Sequence, residues 1–208
     1  MAAAFVAPVA YVAFGDSTGV GVGARKGGGY VARLFERIER ERPGSRVVNL
    51  CESGARTNDL LRHQLPRVAA LRPTLVTVGI GINDLTNLVP AADFEANFDE
   101  IVSRLRTHAP AARVVLSNLP DISPAPVVPA AMRADAVRRI KLFNEIVARV
   151  GARYRGVRVA DAYHSSREVI AAHPEFFCED GFHPSAEGYE YWAKLLWPAV
   201  KAEIGEDE

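Results

Sequence analysis

The sequence predicts an α/β fold: a single doubly wound, three-layer domain of about five parallel strands, in the flavodoxin-like order 2-1-3-4-5, flanked by helices. Three observations predict it. Short, β-branched apolar bursts alternate with amphipathic helical segments along the chain, which is the rhythm of βαβ units. The bursts are apolar on nearly every residue, the pattern of strands covered on both faces. The glycine-rich and chemically suggestive runs fall just after the bursts, where open parallel sheets carry their ligand sites.

In chain order, residues 1–8 read as a loose lead-in and residues 9–14 as the first strand. Residues 30–42 place Val31, Leu34, Phe35 and Ile38 on one helical stripe, and Pro43-Gly44 stops it. Residues 46–50 make the second strand. Residues 57–71 are helical in pattern but interrupted by Pro66. The third strand spans 75–80. Residues 93–108 carry Phe94, Phe98, Ile101, Val102 and Leu105 at helical spacing and stop before Pro110. The fourth strand spans 114–117.

Residues 120–131 form the one long irregular stretch, with Pro120, Pro124, Pro126 and Pro129. Its place after the fourth strand puts it at the carboxyl edge of the sheet. Residues 133–150 align Val137, Ile140, Phe143, Ile146, Val147 and Val150 on one face. The fifth strand spans 157–160. A last helix spans 184–199, with Ser185 as its N-cap and Trp192 and Trp197 in the core. Residues 203–208 read as a frayed acidic tail. Neither an internal repeat nor a linker divides the chain, so one domain over 1–208 is expected, with right-handed crossovers.

Composition excludes several classes. A chain of 208 residues can bury one sizeable core without staples. Lys plus Arg is 25 and Asp plus Glu is 25, so the formal net charge is zero. Binding to nucleic acid or to an anionic membrane surface rests on clustered positive charge, which this balance disfavours. Hydrophobic residues at 49% and charged residues at 24% are globular values. Cys51 and Cys178 are too few for a disulfide scaffold and read as free thiols in a reducing compartment. No apolar run reaches the roughly 18 residues of a membrane helix, so no stable membrane insertion is expected. The apolar N-terminus lacks a basic leader region. A cytoplasmic monomer or small homo-oligomer is expected, with secretion as the alternative.

The first strand runs into Gly15-Asp16-Ser17-Thr18-Gly19. Ser17 sits on a strand-to-helix turn, which exposes its hydroxyl and turns its N–H towards the pocket; a helix-capping serine is the plainer alternative. The G-x-S-x-G elbow of other α/β enzymes follows several strands, whereas this run follows the first. Downstream lies Asp180-Gly181-Phe182-His183-Pro184. An Asp and a His three residues apart can face each other across a turn, the Asp fixing the imidazole tautomer. Together they supply the base and orienter that a serine nucleophile needs. Glu52-Ser53-Gly54-Ala55 follows the second strand, and Gly54 can bring its backbone N–H close to a substrate. Gly81-Ile82-Asn83-Asp84 follows the third, and the Asn83 amide can point at a developing oxyanion. A tight turn and a helix cap are the structural alternatives for these two.

Gly15-Asp16-Ser17, Gly54, Gly81-x-Asn83-Asp84 and Asp180-x-x-His183 occur in an order and spacing that resembles the SGNH hydrolases, the GDSL esterase/lipase family. The resemblance spans residues 15–183, and Thr18 departs from it by standing where the family name implies Leu. It implies a serine esterase acting on short- to medium-chain acyl esters, lysophospholipids or thioesters through an acyl-enzyme. Ser17, His183 and Asp180 are then catalytic, and Ser17, Gly54 and Asn83 form the oxyanion hole. Asp16 and Asp84 hold their loops by hydrogen bonds.

Phe176, Phe177, Pro124 and Val127 are the candidate wall of the substrate pocket. The partner is a small-molecule ester, and neither a metal nor a cofactor is expected. His63, His108, His164 and His173 show no shared ligand spacing. Gly19-Val20-Gly21-Val22-Gly23-Ala24 is separated from the strand by four residues, which disfavours a dinucleotide site. Arg25 and Lys26 on that loop could meet an anionic head group. Two further functions fit the fold: transfer of the acyl group to another alcohol, and non-catalytic binding of an acyl chain or lipid.

Overall fold

Five parallel strands pair in the order β2-β1-β3-β4-β5, as the alternation of apolar bursts and helices predicts. The structure is a computed structural model that describes residues 7–24, 27–164 and 166–205. The strands are β1 (Ala10–Gly15), β2 (Arg46–Asn49), β3 (Leu75–Gly79), β4 (Arg113–Ser117) and β5 (Val157–Ala160). Side chains alternate between two cores with the period of two that a strand imposes. Val12 and Phe14, Val76 and Val78, and Val114 and Leu116 enter one core. Tyr11 and Ala13, Leu75 and Val115 enter the other. Both faces are therefore apolar, which is why the strands read as unbroken hydrophobic runs.

Helices α2 (Tyr30–Glu41) and α9 (Ala186–Gly205) supply the side chains of the second core. Helices α6 (Ala91–His108) and α7 (Arg133–Gly151) supply much of the first. The five apolar residues read along residues 93–108 are all fully buried, and Phe94 stacks on Phe143 with ring centroids 4.1 Å apart. A buried polar pair, the Tyr11 hydroxyl and Thr77 Oγ1 at 2.7 Å, bridges β1 and β3. Both cysteines are free thiols.

Two elements depart from the sequence reading. Residues 57–71 are four short pieces: α3 (Thr57–Asp59), a wide five-residue π turn (Leu60–Gln64), a tight turn (Leu65–Arg67) and α4 (Val68–Leu71). Pro66 falls in the tight turn, where its missing N–H costs least. The last helix runs past Pro198 to Gly205. Val200 and Ile204 are buried against the second core, and Arg42 donates to the Ile204 carbonyl. That burial outweighs the proline defect. Glu203 is thus helical and 9% exposed, paired with Arg158 at 2.5 Å, and is not part of a frayed tail. Residues 1–6 of the lead-in, residues 206–208 of the tail, and Arg25 and Lys26 lie outside the described residues.

Three short helices escape the periodicity: α1 (Ser17–Val20), α5 (Ile82–Thr86) and α8 (Arg167–Ala172). Four to six residues hold too few turns for a hydrophobic stripe to register. Two of them, α1 and α5, begin at the carboxyl ends of the adjacent strands β1 and β3.

Candidate active site

Strand β1 delivers the chain to Asp16, whose extended backbone (φ −116°, ψ −156°) caps α1. Asp16 Oδ1 accepts the Thr18 N–H at 2.9 Å and the Thr18 hydroxyl at 2.7 Å. Asp16 is only 2% exposed. Burial pushes its carboxyl up to about 6, against the lowering effect of the two Thr18 bonds and of His183. The cap leaves Ser17 as the first helical residue, so its N–H has no acceptor within the helix. Ser17 is 6% exposed, and its side chain lines a cleft at the carboxyl edge of the sheet.

The segment from Phe177 to Pro184 is a closed loop. An antiparallel bridge joins its ends, and the Cys178 N–H donates to the His183 carbonyl at 2.8 Å. Gly181 takes φ +67°, the left-handed turn that glycine adopts without strain. Asp180 Oδ1 accepts the N–H groups of Phe182 and His183, each at 2.8 Å, and Asp180 Oδ2 lies 2.6 Å from His183 Nδ1. Burial alone would raise the Asp180 carboxyl. The His183 ring and the two backbone donors overcome that and hold it well below the usual carboxylate range. An ionised Asp180 that accepts from Nδ1 leaves Nε2 as the acceptor of the neutral imidazole. His183 Nε2 stands 3.0 Å from Ser17 Oγ.

Two further loops flank the Ser17 turn, because β2 and β3 are the neighbours of β1. Gly54, after β2, takes φ +79° with open space where a Cβ would stand. Asn83 lies in α5, after β3, and its Nδ2 donates to the Ala55 carbonyl at 2.9 Å. That bond uses one of the two amide N–H groups. Asp84, 1% exposed, accepts the Thr57 N–H at 3.0 Å and the Thr57 hydroxyl at 2.6 Å. Burial raises the Asp84 carboxyl, with the Thr57 bonds opposing. Both aspartates flagged in the sequence thus hold loops.

The cleft over Ser17 and His183 is walled largely by apolar residues, among them Ile82, Ile122, Phe182 and Trp192. Of the four expected wall residues, Phe176 and Phe177 line it. Val127 instead lines an adjacent groove, and Pro124 lines neither. The reason is local: the Val127 N–H donates to the Gly181 carbonyl at 3.2 Å, which sets that residue beyond the Asp180–His183 loop. Trp192, read as core, stacks on Tyr30 at 5.7 Å and also walls the cleft. Sequence reasoning missed Phe182 and Ile122, although Phe182 sits one residue from His183. It also missed Gln64, whose amide accepts the Gly15 N–H at 3.0 Å and donates to the Gly15 carbonyl at 2.8 Å. Among the described residues, no cluster of three or more His, Cys, Asp or Glu could hold a metal ion. No described helix is long and apolar enough to cross a membrane.

The parallel sheet of order 2-1-3-4-5 thus carries a linked serine, histidine and aspartate at its carboxyl edge. The model of the GDSL-like lipase/acylhydrolase family matches residues 13–191, and the chain belongs to that family. It is 29% identical over 197 residues to a GDSL-like esterase of Mycobacterium tuberculosis, across 93% of this chain and 62% of that protein. The chain therefore spans less than two thirds of that relative's length. Among solved structures, a lipase/acylhydrolase from Enterococcus faecalis superposes with a TM-score of 0.72 at 26% identity, covering 92% of this chain and 95% of that one. An α/β hydrolase from the metagenome of Lake Arreo, Spain, superposes with a TM-score of 0.71 at 27% identity, covering 97% of each chain.

Proposed function

We propose that this chain hydrolyses carboxylic esters through an acyl-enzyme, with Ser17 as nucleophile, His183 as base and Asp180 as its orienter. The observation that carries the reading is the continuous path from Asp180 Oδ2 through the His183 ring to Ser17 Oγ, at 2.6 Å and 3.0 Å. His183 Nε2 takes the Ser17 proton as Oγ bonds to the acyl carbon, and the carbonyl π pair moves onto oxygen. The oxyanion is met by the N–H groups of Ser17 and Gly54 and by the second N–H of the Asn83 amide. When the oxyanion collapses, the ester C–O bond breaks and His183 returns the proton to the leaving alcohol.

Water then repeats the sequence with His183 as base. Its oxygen bonds to the acyl carbon, the Ser17 ester bond breaks, and the acid leaves with Ser17 reprotonated. Asp180 stays ionised throughout, because the donors around it hold its carboxyl low, and it stabilises the imidazolium formed at each step. The apolar wall over Ser17 favours an uncharged acyl group of short to medium length.

The test is labelling by a fluorophosphonate probe, together with turnover of aryl esters, in wild type and Ser17→Ala. Wild type labels and turns over, and the variant does neither. Ester turnover persisting in Ser17→Ala would overturn the mechanism.

A further inference from the structure

Two apolar compartments meet beside His183, and they share one wall. The inner cleft reaches Ser17 and His183; the outer groove is lined by Leu88, Val127 and Met132 among others. Ile122 and Phe182 line both. Leu88, Val127 and Met132 are 69%, 53% and 58% exposed, an unusual gathering of large apolar side chains at the surface. All three line the outer groove, which gives it an apolar surface open to solvent. Leu88 also holds a left-handed backbone, φ +56°, which a branched residue adopts only when its surroundings impose it.

Phe182 is fixed as a wall from both sides. Its own N–H donates to Asp180 Oδ1 at 2.8 Å, and its ring meets His183 edge-on with centroids 5.1 Å apart. One residue earlier, the Gly181 carbonyl accepts from Val127 on the far loop at 3.2 Å. The phenyl ring therefore stands where the catalytic loop and the proline-rich loop are laced together.

We infer that Phe182, backed by Ile122, is a specificity-determining partition: it stops an acyl chain at the end of the inner cleft and closes that cleft off from the outer groove. The inference rests on the ester hydrolase reading only for which substrate arm is measured. A chain that fits the inner cleft is held among apolar walls. A longer one meets the Phe182 ring before it reaches Leu88 and Met132. With the ring removed, the two compartments join and the added methylenes gain burial worth roughly fourfold in binding each.

The test compares wild type, Phe182→Ala, Phe182→Leu and Ile122→Ala. Turnover of p-nitrophenyl esters from four to fourteen carbons is normalised within each variant to the four-carbon ester, so that any disturbance of His183 cancels. Binding of free saturated fatty acids of the same lengths is measured by calorimetry, which requires no nucleophile. The partition predicts that Phe182→Ala and Ile122→Ala raise the relative preference for ten or more carbons at least tenfold. Phe182→Leu, which keeps most of the bulk and guards against loss of folding, falls between. Turnover with an unchanged length profile overturns the partition and leaves the hydrolase reading standing. If wild type has no turnover, the hydrolase reading falls and the fatty-acid profile decides: a shift to longer chains in the two alanine variants supports the partition, and identical profiles overturn it.

Discussion

Asp84 and Thr57, 27 positions apart in sequence, are joined through both carboxylate oxygens: the Thr57 N–H donates to Oδ2 at 3.0 Å and to Oδ1 at 3.3 Å, and its hydroxyl donates to Oδ1 at 2.6 Å. The pair ties the segment after β2 to the segment after β3, three residues from Gly54 and one from Asn83. Asn97 adds a third member by donating to the Thr57 hydroxyl at 3.2 Å. Because Asp84 is buried, removing its carboxylate strands a backbone N–H and a hydroxyl without water. Asp84→Ala is expected to destabilise the fold by about 2–4 kcal/mol in urea unfolding. It should also lower kcat by about 10²-fold if the two loops present oxyanion donors, since small displacements of such donors cost that much. Full activity in a destabilised variant would confine Asp84 to structure.

Removal of Ser17 or His183 side chains should reduce kcat for a short aryl ester by roughly 10⁴-fold or more, because the two act as a unit. The double variant should lose little beyond either single one. Asn83→Ala is expected to cost about 10²–10³ in kcat with KM little changed, as an oxyanion donor acts only when charge develops. A change confined to KM would place the Asn83 amide on the substrate's ground state instead.

The buried Asp16 makes a prediction about pH. Its carboxyl sits at about 6 in the fold against 3.8 ordinarily. The folded state thus binds the proton more tightly than the unfolded chain, so this group's contribution to stability declines as pH rises from about 4 to 6 and is flat above. The decline amounts to about 3 kcal/mol for a fully buried group. Asp16→Asn keeps an N-cap oxygen and cannot ionise. Its stability relative to wild type should therefore rise between pH 4 and pH 7 in urea melts taken at each pH. Asp180 acts in a separate window: its carboxyl is depressed, so its contribution is complete above the ordinary value of 3.8 and is lost only as pH falls below that. A relative stability of Asp16→Asn that stays level across this range would contradict a buried, proton-holding Asp16.

What could be read from the sequence divides along a physical line. Phe94 to Leu105 repeat every three or four residues over many turns, and Val9 to Phe14 are apolar without a break; both signals are local and long enough to stand alone. The linked Ser17, His183 and Asp180 were legible because Ser17 and the Asp180–His183 pair each sit in short runs whose backbone demands are also local: a cap before Ser17, a left-handed glycine between Asp180 and His183. Helices of four to six residues were invisible, since one turn cannot show a stripe. The pocket wall was legible only in part. Phe176, Phe177 and Phe182 lie in or beside the Asp180–His183 loop in sequence, whereas Ile122 comes to the same cleft from the proline-rich loop, which a bond from Val127 to Gly181 ties to the first and which no spacing reveals. The run of α9 past Pro198 was hidden for a similar reason, as it depends on burial of Val200 and Ile204 against distant strands.

Gln64 belongs to the same hidden class, and its removal tests how the Ser17 turn is held. The side chain is 1% exposed, and its amide meets both backbone groups of Gly15, two residues before Ser17. In effect it extends the sheet edge where β1 ends. Gln64→Leu has similar volume but leaves a buried N–H and a buried C=O unpaired, each worth about 1–3 kcal/mol. The expected result is a fall of about 2–5 kcal/mol in unfolding free energy, together with slower fluorophosphonate labelling of Ser17. Gln64→Glu separates the two effects. Its carboxylate can still accept the Gly15 N–H but cannot donate to the Gly15 carbonyl unless protonated. Labelling by Gln64→Glu should therefore recover as pH is lowered, relative to wild type at the same pH. Equal labelling rates in all three proteins at every pH would mean that β1 and the Asp16 cap position Ser17 unaided.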